Sequence, residues 1–265
     1  MGVNAVLRQR RDRAMFRPMS TPQPAQTLAP GGLGPELGPG PDLRHIRDWI
    51  FDLDNTLYRA DSNLFAQIDA RMQAYVQRLL GVDAEEARRI QKTYYRDHGT
   101  TLTGLIKLHD ADPEEFLLDV HDIDLAAIQA DADLSKAISA LPGRRFVFTN
   151  GCRHHAQRVL ARTGLTDFFE DIWDIRTMRF APKPLRQAYD HILDHSGVNS
   201  REAAMFEDIA RNLVPAHALG MTTVWVTNDS HWSSQGPEFP VAGPENIDYE
   251  TPDLAQFLRT IRTAP

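Results

Sequence analysis

Cysteine is nearly absent. Cys152 is the single one in 265 residues, so no disulfide can form within the chain and stability has to come from a packed core. Long apolar runs are missing as well. No stretch approaches the roughly 18 consecutive apolar residues that a membrane-spanning helix needs, so a membrane partner is not expected. Positive charge is in deficit: 29 Lys and Arg stand against 36 Asp and Glu, for a net charge of -7. That balance argues against a broad surface for a nucleic-acid polymer, but it leaves room for a small basic pocket that holds one phosphate. The rest is ordinary for a globular protein, with 42% hydrophobic and 25% charged residues. Scarce thiols fit a reducing compartment, and a cytoplasmic location is the expectation.

The first 44 residues are a different material. Up to residue 48 there are seven arginines and four acids. The stretch "STPQPAQTLAPGGLGPELGPGPDL" is so rich in Pro and Gly that it cannot bury enough apolar surface to offset chain entropy. Residues 1–44 are therefore expected to be a disordered basic tail. No apolar stretch follows the arginines, so a secretory signal is not expected, and Met15 and Met19 are alternative initiators. An arginine-rich, acid-poor start would also suit an organelle address.

From Trp49 onward short apolar runs alternate with helical stretches. "WIFDL", "RFVFTN", "DIWDI", "AAMFED" and "TTVWVTN" are rich in β-branched and aromatic residues and bounded by turn formers, which predicts buried parallel strands. "HHAQRVLARTG" and "PLRQAYDHILDHSG" predict helices that end on Gly164 and Gly197, the second with Pro184 at its first position. Strand and helix in alternation predict an α/β protein with a doubly wound, Rossmann-like parallel sheet, in which ligands sit at the carboxyl ends of the strands. One long interruption, residues 62–141, contains amphipathic helices and no strand. "SNLFAQIDARMQAYVQRLLG" places its apolar residues on one face, and Asp83 and Asp112 look like helix starts. The expected organisation is a core of residues 45–61 and 142–265, with a helical cap inserted after the first strand.

Four clusters fall at strand ends. In "FDLDNT" Asp52 and Asp54 project from the same side of the chain, and two close carboxylates are not comfortably ionised without a cation, for which Mg2+ is the expected choice. Alone, such a pair reads equally as a turn or a helix cap. Thr149, with Asn150 and Gly151, offers a hydroxyl and backbone N–H groups at a strand end. Lys183, between two prolines, offers a cation. Glu207 and Asp208 supply further acidic oxygens.

Taken in order, these clusters resemble the four motifs of the haloacid dehalogenase-like hydrolase superfamily: Asp52-x-Asp54-x-Thr56, Thr149, Lys183 and Glu207-Asp208. The resemblance implies a covalent phosphoaspartate mechanism on a small-molecule phosphomonoester. Asp52 would be the nucleophile, and Asp54 the acid and then the base. Thr149 and Lys183 would hold phosphoryl oxygens, with Thr56 beside them. Mg2+ would be held by Asp52, the Asp54 carbonyl, Asp208 and, through water, Glu207. The presence of Asp54 favours phosphoryl chemistry over dehalogenation, since a halide leaving group needs no proton; a phosphomutase shares the pair.

The insert carries a finer resemblance. "YYRDHGTTLTGLIKLH" is similar to the cap of pyrimidine 5'-nucleotidases, which implies a nucleoside 5'-monophosphate of UMP or CMP type, with Tyr95, Gly99, Thr100 and Thr101 at the site entrance and Asn150 orienting the substrate. Gly-Thr-Thr also reads as a helix-to-helix turn with Thr100 or Thr101 as N-cap. Three residues depart from the pattern: His98, Ile209 and Pro215, the last inside an expected helix. His154 and His155 invite a metal reading, but adjacent helical residues point in different directions and no partner ligands appear nearby. Rival readings are a phosphatase of phosphoglycolate, a sugar phosphate or a lysophospholipid head group, and an idle domain that binds phosphorylated ligands. Oligomeric state is not legible.

Overall fold

The computed structural model describes residues 40–228 and 241–265. Six strands form one parallel sheet in the order β3-β2-β1-β4-β5-β6. They are β1 (Asp48–Phe51), β2 (Arg144–Phe148), β3 (Asp171–Trp173), β4 (Ala203–Glu207), β5 (Thr222–Val226) and β6 (Tyr249–Thr251). The five strands expected from the apolar runs all form. The sixth, at the edge beside β5, has only three residues and one buried side chain, too little pattern to stand out in the sequence.

Both faces of the sheet are covered, which is why the strands read as unbroken apolar runs. Successive residues feed two separate cores. Trp49, Phe51, Val147, Ala204 and Phe206 pack on one side. Ile50, Phe146, Phe148, Ala203 and Met205 pack on the other. The Phe51 and Phe206 rings stack at 4.6 Å across the β1–β4 pair, and Trp49 lies against Phe206 at 6.3 Å.

Between β1 and β2 the chain forms five helices and no strand: α1 (Leu64–Leu80), α2 (Ala84–His98), α3 (Thr101–His109), α4 (Pro113–Val120) and α5 (Ala132–Ser139). Their ends follow from local chemistry. Gly81 closes α1 in the left-handed region at φ 65, where a side chain would be strained. Asp83 accepts from Glu86 N, and Asp112 accepts from Glu114 N ahead of Pro113 at the first helical position. The remaining helices are α6 (Arg153–Thr163), α7 (Arg186–Ser196), α8 (Ala210–Ala218) and α9 (Leu254–Thr260). Helix α7 begins two residues later than expected, with Pro184 just outside it.

Two expectations need correction or comment. The tail up to residue 39 lies outside the described residues, but residues 40–44 belong to the fold. Leu43 is buried, its N–H donates to the Arg262 carbonyl at 2.9 Å, and Asp42 pairs with Arg262. Pro215 does sit inside a helix, but α8 starts only at Ala210 and is nine residues long. The helical bond that the proline removes is the one to the Arg211 carbonyl, and the hydroxyl of buried Tyr189 donates to the neighbouring Asn212 carbonyl.

Candidate active site

Strands β1 and β4 are neighbours with Phe51 opposite Phe206, so the residues at and just beyond their carboxyl ends meet at one edge of the sheet. Asp52 N donates to the Phe206 carbonyl at 2.9 Å, continuing the ladder by one step. This places the Asp52, Glu207 and Asp208 carboxylates together, with one oxygen of each within 4.8 Å of the others. All three are buried. Lys183 enters from the loop before α7, and its Nζ donates to Asp52 Oδ1 at 2.6 Å, Glu207 Oε2 at 2.6 Å and the Phe148 carbonyl at 2.7 Å. The ammonium also lies 4.9 Å from the centre of the Phe148 ring. A buried lysine with three oxygens and an aromatic face around it is a satisfied cation.

The charges do not balance within the protein. Three carboxylates gather about one ammonium, and the proton affinities of Asp52 and Asp208 record the excess. Burial, and then the neighbouring Glu207 charge, push Asp52 up to about 8 against the opposing pull of Lys183. Burial, Glu207 and Asp52 raise Asp208 well above its ordinary value. Burial works to lower Lys183, but Asp52 and Glu207 more than reverse that and raise it. An all-oxygen donor set with two uncompensated negative charges fits a hard divalent cation of the Mg2+ kind. Asp208 is held for such a role. Its Oδ2 accepts from Asn228 Nδ2 at 3.2 Å and from Asn55 Nδ2 at 3.5 Å, and its carbonyl accepts from Trp225 Nε1 at 2.9 Å. Asn55 reaches it from a left-handed turn at φ 62, a conformation asparagine tolerates. Glu207 has both oxygens engaged, one by Lys183 and one by Ile209 N at 3.1 Å.

The Asp54 carboxylate lies outside the three-carboxylate group and has partners of its own. Its Oδ1 accepts from the Tyr58 hydroxyl at 2.7 Å and sits 2.9 Å from His155 Nε2. Burial raises Asp54, but His155 and Tyr58 outweigh it and hold the carboxyl below its ordinary value. His155 is fully buried at the start of α6, while His154 is exposed. The His121 ring, carried at the end of α4, stacks on His155 at 4.6 Å and 19°, and its Nδ1 is 2.9 Å from the Leu117 carbonyl. Burial and the neighbouring His155 lower His121 to about 3, so it is neutral.

The other predicted residues take several positions. Thr149 is buried at the end of β2, where its Oγ1 accepts from Gly151 N at 2.9 Å. Asn150 is committed to Lys183: its Oδ1 accepts from Lys183 N at 2.8 Å and its Nδ2 donates to the Lys183 carbonyl at 3.1 Å. Its amide thus positions the lysine loop, and Asn150 also lines the cavity beside Asp52 and Lys183. Thr56 is buried, with no partner for its hydroxyl among the described residues. Tyr95, Thr100 and Thr101 line one cavity with Asp52, Asp54, Asn150, Lys183, Glu207 and Asp208. Thr100 is also the N-cap of α3, accepting from Thr103 N at 3.0 Å. Gly99, at φ 84, meets Pro182 of the lysine loop, so the close approach it permits is to protein. Apolar walls come from Phe65, Ile68, Met72, Phe116, Leu117 and Val120 of the inserted helices. Tyr58, His155, His121 and Asn228 were not foreseen as parts of the site.

Comparisons with known proteins agree with this geometry. Residues 49–220 match the family model of haloacid dehalogenase-like hydrolases. The chain is 27% identical over 199 residues to phosphate metabolism protein 8 of Saccharomyces cerevisiae, covering 69% of this chain and 62% of that protein, so it spans less than two thirds of the yeast relative. It is 26% identical over 210 residues to the glyceraldehyde 3-phosphate phosphatase of Methanocaldococcus jannaschii, covering 73% of this chain and 90% of that one. The crystal structure of a HAD phosphatase from Thermococcus onnurineus shares the fold with a TM-score of 0.55 and 22% identity, over 81% of this chain and 97% of its own. By the family match over most of its length, and by the sheet that brings Asp52, Lys183, Glu207 and Asp208 together, the chain belongs to the haloacid dehalogenase-like hydrolases.

Proposed function

We propose that the chain is an Mg2+-dependent phosphatase of small phosphomonoesters, acting through a phosphoaspartate at Asp52, with a pyrimidine nucleoside 5'-monophosphate as the favoured substrate. The observation that carries the reading is the set of three buried carboxylates around Lys183, beside Asp54, at the carboxyl ends of adjacent parallel strands.

Asp52 Oδ1 is held by Lys183, which leaves Oδ2 to attack phosphorus. As that bond forms, the bond from phosphorus to the ester oxygen breaks, and the ester oxygen takes a proton from Asp54 Oδ2. Water then attacks the aspartyl phosphate, gives its proton to Asp54, and restores the Asp52 carboxylate. His155 and Tyr58 hold Asp54 in its ionised form, the form the second half requires. The negative charge of a bound phosphoryl group raises its proton affinity for the first half. Lys183 and the Thr149 hydroxyl are the residues assigned to the phosphoryl oxygens. Asp52, Asp208 and the Asp54 carbonyl, with Glu207, would hold the divalent cation, which would neutralise charge on the transferring group.

Support for a nucleotide comes from the wall above this floor. Tyr95 and Phe116 offer flat apolar surface for a base, and Thr100 and Thr101 offer hydroxyls near it. The archaeal relative, named for glyceraldehyde 3-phosphate, supports the class of small phosphomonoester and favours a second reading, a three-carbon phosphate. Phosphate release from UMP, CMP, dTMP, AMP, GMP, phosphoglycolate, glyceraldehyde 3-phosphate and glucose phosphates, each with Mg2+ and with EDTA, tests both. Metal-dependent release that favours UMP and CMP is the expected result. Preference for another ester overturns the substrate and keeps the chemistry, and no release from any ester overturns the phosphatase reading.

A further inference from the structure

His155 has no role in the reaction as written, yet it is the most completely enclosed titratable side chain next to a reacting group. We propose that His155 is a positioning residue for Asp54: by occupying Oδ1 together with Tyr58, it turns Oδ2 toward the substrate and makes that oxygen the one that carries the transferred proton. The proposal rests on the acid–base reading of Asp54 given above.

Three observations carry it. Both hydrogen bonds to the Asp54 carboxylate converge on one oxygen, from Tyr58 Oη at 2.7 Å and His155 Nε2 at 2.9 Å. Among the described residues no partner reaches Oδ2, and Asp54 lines the cavity that holds Asp52 and Lys183. An oxygen with two donors is coordinately full, so a proton taken by this carboxylate belongs on the other oxygen. Second, the imidazole is locked. Its ring is wholly buried and stacked against His121, which is tied through Nδ1 to the Leu117 carbonyl, and the backbone N of His155 is 3.5 Å from Cys152 Sγ. A donor held on two sides fixes its acceptor in turn.

Third, the other ring nitrogen, Nδ1, is buried without a hydrogen-bond partner among the described residues. An apolar residue in that place would avoid the orphaned atom. Histidine is tolerated there because Nε2 serves Asp54, in keeping with the tendency of unsatisfied buried groups to gather at working sites. His121 and Leu117 come from the inserted helix α4 and its end, whereas His155 comes from the core helix that follows β2. The acid is thus oriented from both halves of the site.

The test compares kcat/KM for p-nitrophenyl phosphate, whose leaving group needs little protonation, with that for an alkyl monoester from the active panel, using the full chain with Mg2+. Since kcat/KM reports steps only up to leaving-group release, it isolates the acid half of the cycle. His155→Leu is expected to lower the alkyl value about 10- to 100-fold, one to two of the decades that general acid catalysis supplies, and the p-nitrophenyl value less than about threefold. His155→Gln keeps an N–H donor and is expected to recover most of the loss. Should the leucine variant fail to fold, His155→Asn, whose amide is too short to reach Asp54, replaces it. Equal losses on both esters, or no rescue by glutamine, overturn the proposal. Asp54→Asn sets the reference. A split there without one in the His155 variants refutes positioning alone, while no split in Asp54→Asn refutes the acid role and His155 with it.

Discussion

Replacing Asp52 by asparagine is expected to stabilise the cation-free protein while abolishing turnover. In the folded chain burial and Glu207 raise Asp52 to about 8, from an ordinary value of 3.8. A group whose folded value is raised contributes its stability in full below the unfolded value, and loses it as pH rises through the folded one. For Asp52 the window runs from about pH 4 to pH 8. At about 1.4 kcal/mol per pH unit, the ceiling on the loss by pH 7.5 is on the order of 5 kcal/mol. Screening and relaxation reduce it, but a fifth of that ceiling, about 1 kcal/mol, already moves the Tm of a domain this size by about 2–4 °C. Asparagine has the same shape, never ionises, and can still accept from Lys183 through its amide oxygen. In EDTA, then, Asp52→Asn melts close to the parent at pH 5 and several degrees above it at pH 8. Saturating Mg2+ reverses the order, because the parent gains binding energy that the variant has lost. Thermal unfolding at three pH values, with and without Mg2+, measures this directly. A Tm difference that does not change with pH, or a variant less stable than the parent at pH 8 in EDTA, refutes the account of a repulsive carboxylate cluster. Retained turnover refutes the covalent mechanism.

Lys183→Met removes the cation paired with Asp52 and Glu207 and is expected to cost about 3–5 kcal/mol in urea unfolding in EDTA, with Mg2+ restoring more stability than it gives the parent. Asn228→Ala removes a donor from Asp208 and is expected to weaken Mg2+ about tenfold or more in a titration followed by activity, with the substrate KM at saturating Mg2+ little changed. Leu43→Ala is expected to cost about 2–4 kcal/mol in the same urea assay, because Leu43 fills part of the core; a silent change would return residues 40–44 to the tail.

The strand ends were the legible part of the molecule. An acid in a parallel strand covered on both faces needs a partner, as Asp48 has in Arg144, so Asp52, Glu207 and Asp208 at the ends of apolar runs stand out against their surroundings. Their order in the chain, with Lys183 between them, carried the resemblance from which a common site was expected, and the fold brings Asp52, Glu207 and Asp208 together. The inserted helices were legible as helices, since Gly81, Asp83 and Asp112 punctuate them, but not in what they present to the cavity. Thr100 illustrates the limit: the same hydroxyl serves as a helix cap and lies on the cavity wall, and a capping residue looks alike in either setting. Asn150 shows another limit. Its neighbourhood suggested substrate, and its amide also holds the backbone of a residue 33 positions away, a pairing that only the fold creates.

The partner of Asp54 is the most instructive of the unforeseen residues, because a signal for it was present. His155 lies 101 positions from Asp54 and 2.9 Å from it in space. No local motif encodes that contact, but helical phase does half the work. His155 shares a face with Val159 four residues on, and both are buried, while His154 is exposed one position earlier. The helix starts four residues beyond Thr149, at the end of a strand next to the one that delivers Asp52. A titratable side chain on the core face of a first turn, beside the strand ends that carry the candidate site, has few places to put its polar atoms except that site. Adjacent histidines therefore carried distinct information, and the phase of α6 assigns one to solvent and the other to Asp54.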